Sequence, residues 1–142
     1  MITPYKPEYL EQIKEHLDKE SIRMFENDYF VKLFYVDSNS DDGEDGKDIV
    51  KGWTILQPSK DRLIIDWIFV KEKYRQQKIG TQLMEEIKKY AKENNFRGIS
   101  VNTGSNTVWA RNFYEKNGFE QVGKVKKFFN FDKEHVFYWF EI

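Results

Sequence analysis

The stretch Ile68-Phe-Val-Lys-Glu-Lys-Tyr-Arg-Gln-Gln-Lys-Ile-Gly-Thr81 runs from the end of an apolar strand through a short cationic turn into a helix. Upstream, Leu63–Val70 is apolar on both alternating faces, interrupted by Asp66 alone, and reads as a central strand covered on both sides. Downstream, Ile79, Leu83, Ile87 and Tyr90/Ala91 recur at helical spacing, while Gln82, Glu85, Glu86, Lys88 and Lys89 take the other face. A helix start presents free N–H groups and a positive dipole end, and Lys71, Lys73, Arg75 and Lys78 add charge around it. Phosphate is the natural guest of such a turn. Phosphate-loop and dinucleotide motifs need two or three glycines at fixed spacing, and Gly80 is the sole glycine between Gly52 and Gly98, so neither fits.

Working outward, Met1–Lys6 reads as an edge strand, and Pro7 opens a helix with Leu10, Ile13 and Leu17 on one face. Ser21 is placed to cap a second helical turn. Tyr29–Val36 and Ile49–Gln57 are rich in β-branched and aromatic residues and read as strands, joined by an acidic hairpin loop, Asp37–Asp48. A strand at Gly98–Asn102 precedes a helix from about Asn106 to Lys116, which Asn117-Gly118 stops in the manner of a left-handed cap. Strands near Phe119–Val125 and His135–Ile142 finish the chain. The order predicts an α/β (α+β) domain over residues 1–142, with a mixed, mostly antiparallel sheet of about seven strands flanked by helices.

Composition narrows the chemistry. Across 142 residues there are 12 Phe, 8 Tyr and 4 Trp, enough to fill a core, so a disordered chain is excluded. The formal charge of -1 lacks the basic excess of a general nucleic-acid binder. Lys124, Lys126 and Lys127 beside Phe128, Phe129 and Phe131 read as a charged outer and an aromatic inner strand face, not a base-stacking platform. Cysteine is absent, which excludes disulfides, thiolate nucleophiles and zinc ribbons. His16 and His135 have no partner at catalytic or metal-site spacing, so no metal is expected. With no apolar leader and no run long enough to span a bilayer, the expectation is a cytoplasmic protein with no membrane partner, a monomer or homodimer.

The segment Arg75-Gln-Gln-Lys-Ile-Gly80 resembles the pyrophosphate loop of the GNAT superfamily of acetyl-CoA-dependent N-acetyltransferases, Arg/Gln-x-x-Gly-x-Gly/Ala at a helix start. It matches at its first and last places and carries Lys78 where the middle glycine stands. Ala110-Arg-Asn-Phe-Tyr-Glu-Lys-Asn-Gly-Phe119 resembles the family's Ala-x-x-x-Tyr-x-x-x-Gly-Phe helix and following strand, and the element order is also the family's. The resemblance implies the GNAT fold and acetyl-CoA as acyl donor. It implies cofactor contacts from Ile68, Phe69 and Val70, whose backbone would pair with the pantetheine like an added strand, and from Arg75, Gln76, Gln77, Lys78, Ile79, Gly80 and Thr81 at the phosphates. Phe113 falls in the second motif, and Asn106, one residue earlier than the family's asparagine, would meet the pantetheine arm.

The same resemblance casts Tyr114 as the donor toward the departing coenzyme A thiolate. A phenol near pKa 10 facing a thiol near 8.5 makes full proton transfer uphill by about 2 kcal/mol, so hydrogen-bond stabilisation of the thiolate is the safer role. Asp66, the polar residue of an apolar strand, is a candidate for the amine's proton as direct base, through a water, or as ammonium anchor, with a strand carboxylate paired to a neighbour as the structural alternative. Its place resembles that of a catalytic histidine in the serotonin N-acetyltransferase branch. Ser100 stands where ribosomal-protein N-terminal acetyltransferases carry a glutamate base. The expected reaction is direct transfer from acetyl-CoA to a primary amine of a small molecule in a ternary complex. The alternatives are a protein N-terminus or lysine as acceptor, and a non-catalytic acyl-CoA-binding module. In the acidic loop, Asp37-x-Asn39-x-Asp41 echoes a calcium loop but lacks its glycine, and Asp41, Asp42, Glu44 and Asp45 would draw a cationic amine such as a polyamine or aminoglycoside.

Overall fold

The computed structural model describes residues 1–38, 46–129 and 133–142, without the side chain of Phe129. The acidic-loop residues Asn39, Asp41, Asp42, Glu44 and Asp45, and Phe131, lie outside the described residues. Seven strands run in the order β1-β2-β3-β4-β5-β7-β6: β1 is Ile2–Pro4, β2 Val31–Asp37, β3 Ile49–Ser59, β4 Arg62–Val70, β5 Gly98–Gly104, β6 Glu120–Phe129 and β7 Lys133–Glu141. The helices are α1 (Leu10–Ile13, with a 3-10 turn on either side), α2 (Lys19–Glu26), α3 (Ile79–Glu93) and α4 (Val108–Lys116). The pairs β1–β2, β2–β3, β5–β7 and β6–β7 are antiparallel, and β4–β5 is parallel. The chain gathers into two compact units, Met1–Pro58 with Asp66–Ile87, and Ser59–Ile65 with Lys88–Ile142.

In the first unit, Tyr9, Ile13, Phe25, Phe34, Trp53 and Ile55 form one buried cluster. Each such side chain contributes about 1.5–3 kcal/mol relative to exposure. A second cluster joins Tyr74, Ile79 and Leu83, with Ile68 and Val70 packed against it. Ser21 does not cap α2. Asp18 does, its Oδ1 accepting from the Ser21 N–H at 2.8 Å, and Ser21 is the buried third residue of the helix. Those hydrogen bonds hold the Asp18 carboxyl below its usual range.

The burial pattern of β4 departs from a strand covered on both sides. Leu63 and Ile65 are buried, Asp66 and Trp67 are both exposed, and Ile68–Val70 are half-buried. The parallel pairing with β5 joins Arg62, Leu63 and Ile64 to Gly98, Ile99 and Ser100, at the beginning of the strand.

In the second unit, α4 ends in a Schellman motif. The Phe119 N–H donates to the Tyr114 carbonyl at 3.0 Å, the Gly118 N–H donates to the Glu115 carbonyl at 3.1 Å, and Gly118 has φ +87. The strand runs past the end near Val125 that the sequence suggests. β6 continues to Phe129 through a register shift between Val125 and Phe129, where Lys127 takes φ 56. Every residue of this edge strand from Glu120 to Phe128 is exposed, so Phe128 does not turn to an inner face opposite Lys124, Lys126 and Lys127.

Candidate active site

The cationic turn is built by close backbone approach. Gly52 on β3 lies under it: a Cβ there would stand 2.8 Å from the Phe69 carbonyl oxygen and 3.2 Å from Cγ2 of Ile79. Its missing side chain therefore lets the start of α3 settle against the strands. The Thr54 hydroxyl, wholly buried, donates to the Trp67 carbonyl at 2.6 Å, and the Lys71 N–H donates to the Lys51 carbonyl at 2.9 Å. Tyr74 is buried with the Lys51 ammonium 4.8 Å and the Lys73 ammonium 5.0 Å from its ring centre. These contacts anchor both ends of the turn and leave Gln76, Gln77 and Lys78 exposed.

Gln76 (φ 64) and Lys78 (φ 62) both adopt left-handed backbone. Lys78, which stands where the motif has its middle glycine, thus adopts a backbone conformation that favours glycine, at a cost of about 1–2 kcal/mol for an L residue. Left-handed residues on either side of Gln77 are the backbone alternation found in anion-binding nests. The Gln82 N–H donates to the Lys78 carbonyl at 3.0 Å, so α3 begins its ladder there and the N–H groups of Ile79, Gly80 and Thr81 find no partner within the helix. Arg75 is engaged from below: its Nε donates to the Val70 carbonyl at 3.0 Å and its guanidinium lies 5.5 Å from the Phe69 ring. Its terminal NH2 groups are what it offers to an anion.

Asp66 is not buried, contrary to the sequence expectation. Even so, the carboxyl is crowded enough by protein that desolvation pushes its pKa up to about 6.

In the second unit, Tyr114 is buried, 6% exposed, and desolvation pushes its phenol up to about 12. Its ring contacts those of Phe113, Phe119 and Tyr138 at 5.5, 5.7 and 5.9 Å. Among the described residues its hydroxyl makes no hydrogen bond, while neighbouring Tyr138 donates to Glu115 at 3.1 Å and accepts from Arg111 Nε at 3.3 Å. Sequence reading missed Tyr138, Glu115 and Arg111 because the pairs lie 23 and 27 positions apart. Gly52 and Thr54 were missed likewise: a single glycine or threonine in a strand carries no motif. Phe113 is half-buried. Asn106 is exposed in the tight turn before α4, its carbonyl accepting from the Val108 N–H at 3.0 Å.

The structure thus brings Ile68, Phe69, Val70 and the segment 75–81 together in the first unit, and Asn106, Phe113 and Tyr114 in the second. Among the described residues no group of three or more His, Asp or Glu side chains is placed to hold a metal ion, and no helix is long and apolar enough to cross a membrane.

The acetyltransferase (GNAT) domain model matches residues 30–121, well over half of the chain, and the chain belongs to that family. A curated relative, "Probable N-acetyltransferase camello" of Xenopus tropicalis, is 35% identical over 80 residues, which are 54% of this chain and 36% of that protein. The chain thus matches about a third of that relative's length. Among solved structures, Arabidopsis thaliana NAA60 in complex with acetyl-CoA superposes with a TM-score of 0.86 at 18% identity, covering 100% of this chain and 98% of that one. An aminoglycoside 6'-N-acetyltransferase complexed with coenzyme A superposes with a TM-score of 0.79 at 16% identity, covering 99% and 96%. Identities this low speak to the fold alone.

Proposed function

We propose that this protein transfers the acetyl group of acetyl-CoA to a primary amine of a small molecule, by direct attack in a ternary complex. The observation that carries this reading is the left-handed turn Gln76–Lys78 running into the open N–H groups of Ile79, Gly80 and Thr81, a cradle for the coenzyme's pyrophosphate. Arg75 and Lys78 add charge there, Ile68, Phe69 and Val70 offer strand backbone to the pantetheine, and the family resemblance adds Asn106 and Phe113 as coenzyme contacts.

In this reading Asp66, with a pKa of about 6, is ionised at neutral pH and takes the amine's proton directly or through a water. Tyr114 meets the departing thiolate. With the phenol at about 12 and a thiol near 8.5, full proton transfer is uphill by about 5 kcal/mol, so Tyr114 acts by donating a hydrogen bond to the thiolate.

The test is amine-dependent release of the coenzyme A thiol, read with a thiol-reactive dye, which the cysteine-free protein does not itself consume. Turnover on small amines is the expected result. Turnover on peptide N-termini or lysines alone would transfer the reading to a protein acetyltransferase. Tight acetyl-CoA binding with silence across every acceptor would make the chain an acyl-CoA-binding module.

A further inference from the structure

Helix α4 presents Arg111, Tyr114 and Glu115 on one face, at the three- and four-residue spacing that makes helix side chains neighbours. Two of them meet a single group from the sheet. The hydroxyl of Tyr138 on β7 accepts from Arg111 Nε at 3.3 Å and donates to Glu115 Oε1 at 3.1 Å. Arg111 is itself tied down, its Nη1 donating to the Ser105 carbonyl at 3.2 Å in the turn before α4. All of these residues belong to the second unit.

Packing at position 138 needs only a ring, since Tyr138 is buried and a phenylalanine would fill the same space. What the oxygen adds is a directional tether from β7 to one turn of α4. The tethered ring lies against Tyr114, centroids 5.9 Å apart at 39°. Tyr114 has no tether of its own. Among the described residues its hydroxyl makes no hydrogen bond, so the direction of its ring is set by the rings around it. Phe113 belongs to α4 and Phe119 to the turn that closes it, whereas Tyr138 reaches Tyr114 from a strand. Tyr138 is thus the contact that fixes the Tyr114 ring relative to the sheet of its own unit.

We propose that Tyr138 is a positioning residue for Tyr114: the Arg111–Tyr138–Glu115 bridge holds the ring against which Tyr114 packs, and so aims the Tyr114 hydroxyl while leaving it uncommitted. The inference rests on the acetyl-transfer reading above, in which that hydroxyl donates to the departing thiolate. A donor that acts on charge developing in the transition state stabilises it most when it is already oriented, because reorientation during the reaction would offset the gain. The bridge supplies that orientation without touching the reacting atoms.

The test is a double-mutant cycle on the full chain. Tyr138→Phe keeps the ring and removes the bridge, so kcat for acetyl transfer should fall about 3- to 10-fold while the KM for acetyl-CoA stays within about twofold. In a Tyr114→Phe background the same change should alter kcat by less than about twofold, because the hydroxyl that it aims is gone. Glu115→Gln, which keeps an acceptor oxygen for Tyr138, should lose less kcat than Glu115→Ala. Ring-flip rates of Tyr114, read by NMR on the chain carrying isotope-labelled tyrosine, should rise about tenfold in Tyr138→Phe, and this readout needs no turnover. An unchanged kcat, an equal fall in both backgrounds, or an unchanged flip rate overturns the positioning role. Absence of turnover by the unaltered chain on every amine overturns the acetyl-transfer reading, and the flip rate alone then decides whether Tyr138 holds Tyr114.

Discussion

Phe119 holds Tyr114 twice: its N–H donates to the Tyr114 carbonyl at 3.0 Å, and the two rings lie 5.7 Å apart. Both contacts depend on the left-handed turn at Gly118, where a Cβ would also stand 3.2 Å from the Phe140 ring. Gly118→Ala should therefore cost about 1–2 kcal/mol in urea unfolding, and Gly118→Asn less, because asparagine tolerates this conformation. Equal losses for both would point to the Phe140 contact, and not the backbone, as the constraint.

Tyr114→Phe removes only a hydroxyl. If that hydroxyl stabilises the leaving thiolate, kcat falls by about 10- to 100-fold, the worth of a hydrogen bond to a charged group, while acetyl-CoA affinity stays within about threefold. Steady-state kinetics and calorimetry separate the two quantities. An unchanged kcat removes Tyr114 from the chemistry.

Asp66 ties activity and stability to pH with opposite signs. The ionised carboxylate is the active form, so activity should rise with pH through about 6. Stability should do the reverse. The folded-state pKa is raised above the unfolded value near 3.9, so the folded chain holds the proton more tightly, and this stability is present at low pH and lost as pH rises from about 4 through about 6. Asp66→Asn should flatten both profiles, in rate assays and in denaturant midpoints taken across that window.

Lys78 combines a strained backbone with a charged side chain. Lys78→Gly keeps the left-handed turn and should change stability by no more than about 1 kcal/mol, relief of strain being offset by chain entropy. Acetyl-CoA affinity should fall by about 2- to 10-fold and become less sensitive to salt as the ammonium is lost. Lys78→Val places a β-branched residue at positive φ and should cost stability as well. Full affinity in Lys78→Gly would mean that backbone donors alone hold the phosphates.

How much of this was legible in advance varies by element. The helical period Ile79, Leu83, Ile87, Ala91 and the Asn117-Gly118 stop are local patterns, and both appear where the periodicity puts them. The cap of α2 went to Asp18 and not Ser21, a choice between two competent neighbours that only backbone geometry settles. β6 runs past its expected end because a bulge at Lys127 keeps the strand paired with β7, and no residue type announces that bulge.

The sequence by itself determined the order of elements, the cationic turn at the head of α3 and the tyrosine helix, because short-range periodicity and turn chemistry are written in neighbouring residues. Tertiary structure alone decided that Asp66 is exposed yet desolvated at its carboxyl, that Gly52 and Gly98 are glycines because another group occupies the space of a Cβ, and that Arg62, Ser100, Asn102, Phe128, Phe137 and Trp139 line one pocket. Such facts depend on strand register and on which face is covered, and these arise from contacts between residues far apart in the chain.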